Sequence, residues 1–177
     1  MTAAGDFDQR VRALRDAFDG SFAAAVAGER PAQLDFLTIR VAGDPYALRL
    51  SEVQSLHAER KLVAAPSLIP GLLGVAGFRG VLTPVYDLSS LLGYAQLGAA
   101  KWLVVARHAE PIGFAFEVFD AHLRVDSAQV SGTEPEAEGA LRGAVRTGGR
   151  AVPLLHLPAL IETILRRIKA FEPSQER

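Results

Sequence analysis

The chain has no cysteine among its 177 residues. That absence excludes disulfides, thiolate catalysis and cysteine-ligated zinc together, and it fits a reducing compartment. Lysine is scarce too: Lys61, Lys101 and Lys169 are the only three, so arginine carries nearly all the positive charge. The arginines are scattered without a basic block and the net charge is -1, so nothing favours a groove that tracks phosphates and no nucleic-acid partner is expected. Long apolar runs are missing as well. The longest, Ser67 to Phe78, is broken by Pro70 and glycines and falls short of the ~20 residues that span a bilayer, so direct membrane insertion is not expected. The opening Gly5-Asp6-Phe7-Asp8 lacks the basic start and apolar run of a signal peptide. A cytoplasmic location is the expectation.

Hydrophobic residues make up 49% and charged residues 22%, the balance of an ordinary globular protein with one substantial core or two small lobes sharing it. Phe7, Val11, Leu14 and Phe18 fall on one helical stripe, with Asp8–Arg12, Arg12–Asp16 and Arg15–Asp19 paired four apart on the other side. This N-terminal amphipathic helix either packs on its own domain or serves docking or self-association, because its apolar stripe needs a cover. From Asp35 the period changes to two. Leu37, Ile39 and Val41 alternate with Phe36, Thr38 and Arg40; a turn at Gly43-Asp44-Pro45 leads into Tyr46–Leu50, giving a hairpin. Val53–Arg60 reads as a further short strand.

Two apolar strands, Leu73–Phe78 and Val81–Asp87, then flank Arg79, with Gly77 and Gly80 as the glycines that let the chain bend around it. A guanidinium there is presented at a fixed angle with five donors. A helical turn, Leu88 to Leu92, closes at Gly93. Trp102–Ala106 and Ile112–Val118 read as another strand pair, and His122–Val125 as a third strand before the acidic loop Ser131–Glu138. Gly143–Thr147 and Arg150–Leu155 form a hairpin across Gly148-Gly149. Pro158 suits the first turn of a final helix with Leu160, Ile161, Ile164, Leu165 and Ile168 as its buried stripe. Eight to ten short strands between two terminal helices imply a mainly β fold of barrel-like sheets.

The four histidines, His57, His108, His122 and His156, have no two at metal-ligand spacing. No metal or cofactor is expected. The glycines of Gly71–Gly77 match neither the dinucleotide nor the P-loop spacing, and no serine sits in a nucleophile-elbow context. Asp87 and Glu117 are carboxylates without a sequence relation. The chain is expected to have no catalytic residues and to work by being touched.

In order, these residues resemble the CheW-like domain of bacterial chemotaxis adaptors. The resemblance runs from about Asp35 to Leu160. It is densest where Gly74, Arg79, Gly80, Pro84, Asp87, Leu88 and Gly93 fall at the family's typical positions, and the hairpin Phe36–Leu50, Pro66 and Leu154-Leu-His-Leu157 follow the family order. It implies two small intertwined five-stranded barrels within a domain spanning 34–172, after a helical extension of 1–33 and before a polar tail of 173–177. It also implies partners: the signalling domain of a chemoreceptor (methyl-accepting chemotaxis protein), gripped in a groove between barrels, and the regulatory domain of a histidine kinase. Val53, Gly74 and Arg79 resemble receptor-facing positions, whereas Gly77, Gly80, Pro84, Asp87 and Leu88 are assigned to turns, strand edge and core.

Three residues depart from the family pattern. Ser55 replaces a glutamate able to pair with the arginine, Glu117 stands for the aspartate of a later strand, and His156 for the aspartate of the closing strand. The expected function is a non-enzymatic adaptor that couples chemoreceptor tips to a histidine kinase. Two alternatives stay open: an accessory adaptor that binds only one partner or serves another output, and a small-molecule-binding or enzymatic β-barrel.

Overall fold

The computed structural model describes residues 32–66, 69–94, 100–132 and 139–171. The helix expected to carry Phe7, Val11, Leu14 and Phe18, residues 133–138 of the acidic loop, and the tail 173–177 lie outside the described residues.

Strands β1 (Gln33–Val41) and β2 (Asp44–Arg49) open a first sheet, and the 3-10 turn Leu50–Glu52 carries the chain to a second. The second sheet contains β3 (Val53–Ala58), β4 (Leu72–Phe78), β5 (Val81–Asp87), β6 (Trp102–Ala106) and β7 (Gly113–Phe116), with the short helix α1 (Leu88–Leu91) after β5. Glu117 is the single residue on which the chain crosses back. Strands β8 (Val118–Asp126), β9 (Val130–Ser131), β10 (Leu141–Thr147) and β11 (Arg150–Leu155) then complete the first sheet, and α2 (Leu157–Phe171) follows. The strand orders are β8-β1-β2-β11-β10-β9 and β3-β6-β7-β5-β4. The second sheet is therefore an insert between two parts of the first. Each sheet has one parallel junction, β2 with β11 and β5 with β7. The sixth strand of the first sheet, beyond the five the resemblance implies, is the two-residue β9 at its edge.

Period-two alternation sorts the apolar side chains into three layers. Leu37, Ile39, Val41, Tyr46 and Leu48 of the first sheet join Val104, Phe114 and Phe116 of the second in one shared core. Their neighbours face the other way: Phe36, Ala47 and Leu154 fill a core private to the first sheet, and Leu103, Val105 and Ala115 one private to the second. Helix α2 lays Leu157, Leu160, Ile161 and Ile164 into the shared core, with Leu165 and Ile168 partly buried against it. A fully buried side chain of this size contributes about 1.5–3 kcal/mol, so the helix is held by its stripe.

Hairpin loops of two residues fix the registers. Ala42-Gly43, Arg79-Gly80 and Gly148-Gly149 all have positive φ at both positions, the arrangement whose twist matches that of paired strands. The first loop is thus one residue earlier than Gly43-Asp44-Pro45, and Pro45 lies in β2 opposite Arg40. Gly77 is not a turn residue: it sits within β4 opposite Leu82, with no left-handed φ and open space where a Cβ would go. Pro84 is opposite Val75, whose backbone N–H and C=O are both bonded to Val63, so no ladder bond to β4 is asked of the missing proline N–H. Asp87 caps α1, accepting from the Ser89 and Ser90 N–H groups at 3.1 and 3.4 Å and from the Ser89 hydroxyl at 2.6 Å, while Leu88 is fully buried in the shared core.

Gly74 is where the connector between β3 and β4 closes on the sheet. A Cβ there would run into the Val63 carbonyl, and its φ of 147° disfavours any other residue. Gly74→Ala is therefore expected to destabilise the protein by about 2–4 kcal/mol, and Gly77→Ala to shift stability by no more than about 1 kcal/mol. Urea unfolding of both variants checks the contrast.

Candidate functional site

The second sheet carries an open groove of about 370 Å³ that Arg79 lines. Its position follows from three local features. The Arg79-Gly80 loop joins Phe78 to Val81, and the positive φ of Arg79 (49°) fixes the direction in which that exposed side chain leaves the hairpin. A bulge between Val53 and Ser55 in the pairing with β6 breaks the alternation, so Val53 and Leu56 pack on the shared core while Ser55 and His57 line the groove. Val105 and the fully buried Thr83 also belong to its lining.

His57 knits this wall together. Its Nε2 is 2.9 Å from the Ser55 hydroxyl and its ring lies 4.7 Å from that of Phe78. Burial pushes its pKa below the ordinary histidine value, and the charges of Arg60 and Arg79 push the same way. Arg60 stacks over Phe78 with its guanidinium carbon 5.4 Å from the ring centroid. Among the described residues no carboxylate lines the groove and neither Arg60 nor Arg79 makes an ion pair.

A second, more apolar groove of about 280 Å³ adjoins the first, sharing Val81 and Pro111. It runs between β5 and α2, past Leu82, Leu165 and Ile168. Leu82 is 74% exposed and Val81 50%, adjacent large apolar side chains of the sort that mark an interaction surface.

Of the three expected receptor-facing residues, one lies in this surface. Arg79 does. Val53 is 5% exposed and faces the shared core, and Gly74 is buried against the Val63 backbone. Gln54, Ser55, His57, Arg60, Val81 and Leu82 are the groove residues that sequence reasoning missed. The exposed Val81-Leu82 pair after Arg79-Gly80 was the available signal, and the bulge at Gln54 left none. Among the described residues no cluster of three or more His, Asp or Glu is placed to hold a metal, and no helix is long and apolar enough to cross a membrane.

His156 has a structural task. Its Nδ1 accepts from the Ala159 N–H at 3.2 Å, capping α2. Its Nε2 lies 3.7 Å from Glu52, whose other carboxylate oxygen accepts from the Leu157 N–H at 2.9 Å. Glu52 thereby ties the crossover between the sheets to the positive end of the helix dipole. Burial pushes the Glu52 carboxyl above its usual range, opposed by the Leu157 N–H and by Arg49 and Arg142. Burial holds His156 below the ordinary histidine value, helped by Arg142.

Residues 35–165 match the model of the CheW-like domain family. The chain is 23% identical over 133 residues to the chemotaxis protein CheW of Bacillus subtilis (strain 168), covering 71% of this chain and 85% of that protein. The crystal structure of the scaffolding protein TtCheW from Thermoanaerobacter tengcongensis superposes with a TM-score of 0.66 at 17% identity, over 74% of this chain and 94% of that one.

Two outcomes are expected. A capping Nδ1 must be unprotonated, and with the folded pKa depressed, stability is complete above the unfolded value of 6.5 and falls as pH drops through the folded value. Glu52, being raised, acts in the opposite sense at lower pH, gaining stability as it protonates. The melting temperature of wild type minus that of His156→Asn, which keeps a neutral cap, should therefore fall between about pH 7 and about pH 5; a flat difference would refute the cap. The Thr83 hydroxyl is buried and has no hydrogen-bond partner among the described residues, so Thr83→Val should raise stability by about 1 kcal/mol in chemical unfolding.

Proposed function

Since the chain belongs to the CheW-like domain family, whose members are scaffold and adaptor proteins and not enzymes, we propose that it couples chemoreceptor cytoplasmic tips to a histidine kinase in the cytoplasm. What supports the receptor half of this reading is one observation: an arginine without an ion pair among the described residues, held in a left-handed loop position beside two exposed apolar residues and two adjoining grooves. A helical hairpin laid against such a face meets apolar and cationic groups side by side. The adaptor works by differential binding, shifting kinase activity to the extent that it holds one arrangement of the assembly more tightly than another. Repetition in an array supplies avidity, so each contact can be weak.

The accessory reading keeps the fold and one docking face only, and it is favoured by Ser55, which stands where the resemblance implies a frequent glutamate. Separate titrations with a purified receptor signalling fragment and with the kinase regulatory domain distinguish the two. The coupling adaptor binds both and the accessory form binds one; binding of neither rejects both readings. A left-handed φ costs a non-glycine residue about 1 kcal/mol, so Arg79→Gly should leave the melting temperature unchanged or raised while weakening receptor binding about tenfold. Equal loss of folding and binding would make the arginine structural.

A further inference from the structure

We propose that Arg60 and Arg79 form a two-arginine clamp that takes a carboxylate from an amphipathic helix of the receptor, whose neighbouring apolar side chains cover Val81 and Leu82. The inference rests on the docking reading above and names the chemistry of the docked element. Both arginines line one groove, in which no carboxylate stands among the described residues. They come from different connections of the second sheet, Arg60 from just after β3 and Arg79 from the β4–β5 loop. Each has a fixed base. Arg60 lies on the Phe78 ring, and Arg79 leaves a two-residue loop of defined dihedral angles.

Both arginines line the groove together with His57, and burial and their two charges all disfavour protonation of its imidazole, which is hydrogen-bonded to the Ser55 hydroxyl. Two arginines with no ion-pair partner among the described residues fit a carboxylate supplied from outside, by charge-assisted hydrogen bonds with each fork. The adjoining surface decides what carries that carboxylate. Val81 and Leu82 lie beside the clamp, and the second groove continues past them to Leu165 and Ile168. A free anion leaves this apolar surface uncovered, whereas a helix with an acidic residue three or four positions from apolar ones covers it and fills the clamp together.

The test uses the full-length protein and the purified cytoplasmic signalling fragment of a chemoreceptor from the same genome, with affinity followed as NaCl is raised. Arg60→Gln and Arg79→Gln should each weaken binding about five- to tenfold and flatten its salt dependence. Ser55→Glu should weaken binding several-fold by placing a competing carboxylate in the groove, and Ser55→Gln should change it by less than about twofold. Melting temperatures of all four variants exclude misfolding as the cause. If the fragment binds, but with no salt dependence and with the same affinity for Ser55→Glu and Arg60→Gln as for wild type, the clamp is overturned and the docking reading survives. If the wild-type protein does not bind the fragment at all, both fall.

Discussion

The layer of apolar side chains that the two sheets bury in common is the constraint on which the rest of the structure depends. Residues of β1 and β2 meet residues of β6 and β7 there, so neither sheet could keep its inner face dry alone. Because the second sheet is inserted into the first, the chain must cross between them twice, at Leu50–Glu52 and at Glu117. The first crossing is pinned by Glu52 to the start of the helix that closes the shared core. A carboxylate buried against a helix N-terminus is well placed electrostatically, yet its desolvation is costly, and its upward-shifted titration reflects that balance.

That rigidity reaches the outer surface through single strands. In β6, Val104 belongs to the shared core while the next residue, Val105, belongs to the groove. In β5, Tyr86 packs inward beside Val85 of the private core, and the same strand presents Val81 and Leu82 to solvent. The proposed docking face therefore rests on close-packed layers that resist deformation. Such a face suits a protein whose work is to hold partners in register.

Much of the fold was legible in the sequence. Alternation in Leu37–Val41 and Val81–Asp87, the diglycine hairpin at Gly148-Gly149 and the stripe of the final helix all marked their elements. The candidate surface was less so, for local reasons. Strict alternation puts Val53, Ser55 and His57 on one face, and the bulge at Gln54 separates the first from the other two. Gly74 and Gly77 look alike in a sequence; only the approach of Val63 distinguishes an indispensable glycine from a replaceable one. His156 stood out as a departure, but its capping role depends on the turn into α2 and on Glu52, which is 104 positions away by number. The sequence draws attention to Arg79 because its position next to Gly80 is a local feature; Arg60 carries no such mark, because its partner ring belongs to another strand.

The most direct test of surface docking is to map the footprint of the receptor fragment on the isotopically labelled protein by amide chemical-shift perturbation. The account predicts a contiguous patch over the end of β3, the β4–β5 hairpin and the half-buried Leu165 and Ile168 of α2. Perturbations confined to the separate groove around Arg142, Glu162 and Arg166, with the Arg79 hairpin unmoved, would contradict it.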